Sequence, residues 1–177
     1  MSTLQVENLI GPTSGSNANK VIIPSGQTLD ASNGFVAPSG HVVNVVTTQS
    51  QGNTVTSSSS FVSTHLTISY TPKKAGNTII IQSNMGADTN ADDRGIKHTV
   101  FRDSTDLGSS NGTDGSSGMI KSHAERLFTN GNVIAVDENV TSSARTYVIK
   151  TRSTGGNSVE ADGTNSKKTM IITEVAQ

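Results

Sequence analysis

The chain has 177 residues and a net charge of −1; 32% of its residues are hydrophobic and 3% are aromatic. It contains no cysteine, which excludes disulfides, thiolate metal sites and cysteine nucleophiles. A nucleic-acid binder would carry a basic face, and the near-neutral charge argues against one. A membrane-spanning helix would need about 20 consecutive apolar residues, and the sequence has no such run. The start, MSTLQVENLIG, lacks the pattern of a signal peptide. Short runs of β-branched residues in a polar background favour a β protein whose modest core gains burial between subunits.

The first 40 residues are predicted to be separate from the rest. They contain short apolar pieces broken by Gly, Pro, Ser and Asn, and the tripeptide Pro-Ser-Gly occurs at residues 24–26 and again at 38–40. Proline presets φ and glycine accepts a positive φ, so each tripeptide predicts a turn after a short strand. Two readings stay open: a pair of unrelated turns, or a fibrous shaft in which strands from three chains wind together.

From residue 41 onward the sequence predicts strands. In residues 64–70 the alternation places Leu66, Ile68 and Tyr70 on one face, the pattern of a half-buried strand. Residues 94–103 alternate in the same way, with His98 on the apolar face. The spacing and turn signals fit an antiparallel, jelly-roll-like β-sandwich over residues 41–177. The predicted strands are residues 41–48, 64–70, 77–85, 94–103, 145–152 and 168–175.

Three stretches are predicted as turns or loops. Asn130-Gly131 lies between two apolar runs and predicts a β-hairpin, with a helix over residues 121–128 as the alternative. Residues 51–60, with four consecutive serines, and residues 108–118, which have no large side chain, are predicted to be mobile surface loops.

The sequence contains no motif that predicts a catalytic, cofactor-binding or metal site. A lone histidine in a strand is most often a packing residue; the alternative is a metal on a trimer axis, for which His65 and His98 are the candidates. The loop from Asp88 to Asp92 has oxygen ligands spaced as in calcium loops, but Thr99 stands where a bidentate Glu is needed. The prediction is therefore a non-enzymatic protein with no cofactor and no bound metal.

Several segments resemble one family in the same order. Residues 22–32, IIPSGQTLDAS, resemble a segment that recurs in tail-fibre-like proteins of phages, notably those of cyanobacteria and marine bacteria. Residues 1–6 are similar to the short N-terminal strand of such proteins, and residues 38–46 to their Pro-Ser-Gly turn and Val-rich strand. The later pieces with this resemblance are residues 68–72, 78–81, 101–105 and 169–175.

The resemblance implies a homotrimeric β-sandwich head on a short extended N-terminal stem. Residues 1–40 would attach the protein to the phage tail or baseplate, and residues 41–177 would face outward to contact host surface glycan. The resemblance implies a location in the virion. The charge and the lack of a long apolar run predict no nucleic-acid partner and no membrane insertion. The alternative expectation is a capsid decoration protein, which shares the fold and the trimer but sits on the phage head.

Overall fold

The computed structural model describes residues 11–18, 20–27, 37–89, 95–108, 118–121, 127–138, 140–161 and 167–177. These ranges contain strands and turns and no helix, so the all-β prediction is confirmed. No helix that could cross a membrane is found in the same ranges. The strands are β1 (Val42–Ser50), β2 (Thr54–Thr56), β3 (Val62–Tyr70), β4 (Thr78–Asp88), β5 (Gly95–Arg102), β6 (Thr105–Asp106), β7 (Gly118–Lys121), β8 (Phe128–Asp137), β9 (Arg145–Ser153), β10 (Val159–Ala161) and β11 (Lys168–Val175).

The chain divides into two units, Met1–Val36 and Ala37–Gln177. In the second unit the strands form two antiparallel sheets that pack against each other as a β-sandwich. Sheet A has the order β1-β11-β4-β10-β2, and β8 pairs with the other edge of β4; sheet B has the order β3-β9-β5-β6, and β7 also pairs with β5. The strand β11 therefore lies between β1 and β4, although it is the last described strand in sequence.

The core forms where inward-facing residues of the two sheets meet. In β3 the burial alternates as predicted: Leu66, Ile68 and Tyr70 are buried, whereas residues 65, 67 and 69 are exposed. Alternation arises because successive side chains of a strand point to opposite faces of the sheet. Sheet A contributes a matching inward set, which includes Ile79, Ile81, Met85, Val133, Ala135, Met170 and Ile172.

The strand β5 differs from its prediction because both of its faces are covered. Ile96, His98 and Val100 point into the core, but Lys97 and Thr99 on the opposite face are buried as well. The Thr99 hydroxyl donates a hydrogen bond of 2.5 Å to Asp106, in the short hairpin strand β6. Sequence alternation describes a strand's own two faces and does not reveal that the outer face is buried as well.

The predicted hairpin at Asn130-Gly131 is wrong. The strand β8 runs through both residues, and they pair with Gly86 and Met85 of β4. The pairing of β8 with β4 covers all ten residues of β8, from Phe128 to Asp137. Such a long ladder outweighs the local turn preference of two residues, because each further pair adds hydrogen bonds and side-chain contacts.

The predicted loop at residues 51–60 contains the strand β2, so that prediction was also wrong in part. Thr54, Val55 and Thr56 pair with β10, so β2 stands at the opposite end of the strand order of sheet A from β1. Threonine and valine favour strands, but a run of three residues among serines is too short to give a sequence signal.

Both Pro-Ser-Gly tripeptides form turns, as predicted. The amide of Gln27 donates to the carbonyl of Pro24 (3.0 Å), and the amide of His41 donates to that of Pro38 (3.1 Å). Gly26 and Gly40 have φ of 81° and 83°, so the two turns have the same construction. The strand expected before the first turn is not formed: residues 21–23 pair with no strand in the described ranges.

Some predictions lie outside the described residues. They concern residues 1–10, most of the loop at 108–118, and the central part of the alternative helix over 121–128.

Candidate interaction surface

The candidate metal ligands His65 and His98 lie on opposite faces of sheet B. His65 is on the outer face of β3, where its ring lies against Gly52: a Cβ on Gly52 would be 2.5 Å from the ring Cγ. Its Nδ1 atom is 3.4 Å from the Thr54 hydroxyl. This histidine therefore packs the segment before β2 onto β3.

His98 points into the core and is 1% exposed. Neither ring nitrogen has a hydrogen-bond partner among the residues that the structure describes. Burial lowers the pKa of His98 to about 4, because the charged imidazolium loses its hydration. The side chain is thus neutral near pH 7 and occupies an apolar position.

The candidate calcium loop extends from Asp88 to Asp92. Asp88 is the last residue of β4 and is 1% exposed, whereas Asp92 lies outside the described ranges. Within those ranges no three His, Asp or Glu side chains are grouped in a way that would bind a metal ion.

A fully buried carboxylate, that of Glu174, lies at one end of the sandwich. It accepts hydrogen bonds from the Tyr70 hydroxyl, from the Asn77 amide (2.7 Å) and from the backbone amides of Lys73 (2.9 and 3.0 Å) and Lys74 (3.3 Å). Burial alone raises the pKa of Glu174, but these donors outweigh it and the net pKa is lower than its ordinary value. The carboxylate is therefore charged and serves as a common acceptor.

A second buried carboxylate, that of Asp137, has a similar arrangement. It accepts a hydrogen bond of 2.7 Å from the Tyr147 hydroxyl and one of 2.5 Å from the Arg102 guanidinium. Burial and the hydrogen bond to Asp137 both raise the pKa of Tyr147. The next residue, Glu138, lies outside β8 and is exposed.

Both tyrosines of the chain therefore connect the sheets through a carboxylate. Tyr70 and Tyr147 belong to sheet B, while Glu174 and Asp137 belong to sheet A and both pair with Ile79 of β4. These contacts were not predicted from the sequence. Their only sequence signal is that each carboxylate lies an even number of positions from the inward-facing residues of its own strand.

We expect the Asp137 cluster to stabilise the fold measurably. Replacing Arg102 with Met leaves Asp137, which is 3% exposed, with Tyr147 as its remaining partner. The free energy of unfolding should fall by about 2 kcal/mol, because a buried charge loses its counter-ion. Urea denaturation at pH 7 measures this.

The matched control is Arg145→Met. The Arg145 guanidinium lies 3.8 Å from Asp103, whose side chain is half exposed, so this pair should contribute less than about 1 kcal/mol. An equal loss in both variants would contradict the assigned importance of the buried pair.

The outer face of sheet B carries cations and aromatic rings. The ring centroids of Phe61 and Phe101 are 5.8 Å apart in an edge-to-face contact. The Lys150 ammonium lies 3.9 Å from the Phe101 centroid, and the Arg152 guanidinium lies 5.1 Å from that of Phe61. A cation over the face of an aromatic ring is attracted to the ring. The cations of this face therefore already contact rings of the same face.

The outer face of sheet A is different, because three cross-strand rows on it contain no charged residue. We call this set the A face. Its side chains are half-buried or exposed, and Val45 (52%), Ile134 (55%) and Val136 (47%) are apolar residues with about half of their surface in solvent. The rows across β1, β11, β4 and β8 are Val45–Thr173–Ile80–Val136, Thr47–Ile171–Gln82–Ile134 and Gln49–Thr169–Asn84–Asn132.

Polarity changes along the A face. The first row is β-branched throughout, the second is mostly so, and the third consists of three amides and a threonine. In the third row Asn84 donates to Asn132 (3.2 Å) and Gln49 donates to Thr169 (3.4 Å). An open groove of about 310 Å³ lies over the second and third rows, lined by Ile134 and Ile171 among others.

Exposed apolar side chains that lie together on the surface of a domain mark a candidate interaction surface, and Val45, Ile134 and Val136 are such side chains. The A face is thus the strongest candidate site in the described part of the chain. No protein-family model matches this chain, and no curated protein matches it significantly.

Proposed function

We propose that this chain is a non-enzymatic structural protein of a phage particle, of the tail-fibre or tail-tip kind, and that it works as a homotrimer. The observation that carries the proposal is the uncharged, half-exposed A face. A β-sandwich with a modest core gains stability when such a face is covered by another subunit.

The N-terminal unit adds a second observation in favour of assembly. Val21, Ile22 and Ile23 are 50%, 54% and 43% exposed, so three consecutive apolar side chains lie in solvent. In the proposed particle, residues 1–40 attach the protein to the tail, and these side chains are covered by neighbouring chains of the stem.

The chemistry of the described residues favours a structural role. The carboxylates in well-defined hydrogen-bond networks, Glu174 and Asp137, point into the core and accept bonds from several donors. A glycosidase instead needs paired carboxylates in an open groove. The polar outer loops of the sandwich then contact host surface glycan weakly, and three copies per fibre increase the avidity.

Light scattering on the full-length protein tests the proposal first. We expect about three times 18.4 kDa, persisting on dilution. A stable monomer would contradict the homotrimer and with it the proposed function. Quantitative mass spectrometry of purified particles then separates the tail from the head: a copy number equal to that of the major capsid protein would identify a decoration protein instead.

A further inference from the structure

We propose that the A face is the surface through which copies of this chain associate, around a threefold axis parallel to the strands of sheet A. This inference rests on the proposed homotrimer and identifies the contact within it. The occupant of the face is a second copy of the same chain.

Charge is the first argument. None of the twelve residues in the three rows of the A face is charged, whereas 15% of the whole chain is charged. A charged partner, such as an acidic polysaccharide, would find no counter-charge there. The best complement for an uncharged β-branched surface is another of the same kind, and a second copy supplies one.

The size of the face sets how much of the contact it supplies. Four strands spaced about 4.8 Å apart, over five residues of about 3.4 Å rise each, give a face of roughly 19 by 17 Å. Its flat area is roughly 320 Å², and the accessible area of the side chains that stand on it is larger. Specific interfaces begin at about 600 Å² per partner, so residues at the margins of the A face complete the contact.

The width of the face fits threefold symmetry. Three A faces, each about 20 Å wide, form the sides of an equilateral triangular prism around the axis. Each sheet then lies about 6 Å from the axis, because the inradius of an equilateral triangle is its side divided by 2√3. In a packed pair of sheets each backbone lies about 5 Å from the midplane. Side chains of the size of Val and Ile therefore fill such a prism without a channel.

The polarity gradient fixes the direction of the axis. With the axis parallel to the strands, every copy presents its apolar rows at the same height and its amide row at the same height. An axis perpendicular to the strands would set Ile80 and Val136 of one copy against Asn84 and Asn132 of another, and would bury amides against apolar groups. In the parallel arrangement the amide row can hydrogen-bond between copies and fix their register.

Ile134→Glu tests the inference. Ile134 is 55% exposed in one copy, so the fold tolerates a charge there, but association would bury that charge in triplicate. Light scattering should show a change from about three times 18.4 kDa to a monomer, with an unchanged far-UV circular dichroism spectrum. The matched control is Thr67→Glu, an exposed position on the outer face of β3, which should stay trimeric. If Ile134→Glu does not fold, Val45→Lys, at the other edge of the A face, replaces it.

The outcomes separate this inference from the proposed function. A trimeric wild type with a folded trimeric Ile134→Glu or Val45→Lys variant overturns the A face as the contact and leaves the homotrimer intact. A monomeric wild type overturns the homotrimer itself. A wild-type mass of twice 18.4 kDa overturns the threefold axis.

Discussion

Replacement of Glu174 by glutamine is expected to lower the free energy of unfolding by about 3 kcal/mol. The carboxylate is fully buried and accepts hydrogen bonds from four described donors: Tyr70, Asn77 and the backbone amides of Lys73 and Lys74. Glutamine has nearly the same shape but places an NH₂ group among these donors. At least one buried donor then lacks an acceptor, and the remaining bonds lose their charge assistance. Urea denaturation at pH 7 measures the loss.

Glu160→Gln is the matched control for this variant. Glu160 is only half-buried and accepts a single hydrogen bond of 2.6 Å, from Asn53. Its replacement should cost less than about 1 kcal/mol, since water can satisfy the groups left behind. If the two variants lose the same stability, the buried donors around Glu174 do not act as a unit.

The acid side of the stability curve should depend on Glu174 as well. Its folded-state pKa is lower than its ordinary value of 4.5, so the unfolded chain takes up the proton first. The stabilisation is complete above the ordinary pKa of glutamate and is lost as the pH falls through the lower folded value. Glu174→Gln should remove this part of the acid dependence.

The second large effect concerns pH and His98. Its pKa is about 4 in the folded protein, against an ordinary value of 6.5. Because the unfolded state binds the proton first, stability should fall as the pH drops from 6.5 toward 4, and the difference corresponds to about 3 kcal/mol. His98→Leu should remove this loss, since leucine has a similar size and no proton to bind. Urea denaturation at pH 7 and pH 4.5 measures both proteins.

His65→Gln is the control, because His65 is exposed and lies on the outer face of sheet B. It should keep the pH dependence of the wild type. At pH 7 His98→Leu should be at least as stable as the wild type, because it removes two buried nitrogens that have no partner in the described structure. A variant that still loses the full 3 kcal/mol or so on acidification would show that other groups cause the effect.

The strands β3, β4 and β11 were predictable because burial alternates along most of each of them. For β11 the sequence indicated Lys168–Val175, and the structure has the same bounds. The pattern arises from local geometry: a strand with one face in the core needs an apolar residue at every second position. Where the chain follows this rule, the sequence contains the information directly.

The polar contacts of the core were not predictable in the same way. Tyr70 and Glu174 are separated by 104 residues in sequence. They meet only because β3 of sheet B and β11 of sheet A bring them to the same end of the sandwich. His98 likewise appeared as one of several scattered histidines, because burial without a partner is a property of its surroundings. The A face was missed for a related reason: its rows are defined by pairing across four strands, and no single strand reveals them.

The position of β11 has a consequence for how the protein is made. It pairs with β1 on one side and β4 on the other, so in the described structure residues 42–50 form their strand pairing only once residues 168–175 are present. Contacts between residues so distant in sequence form slowly. During translation, sheet A therefore stays incomplete until β11 has left the ribosome, and two edges that β11 later covers remain open. A chain released before residue 175 would lack both the central strand and the Glu174 cluster, and its exposed strand edges would favour aggregation over assembly.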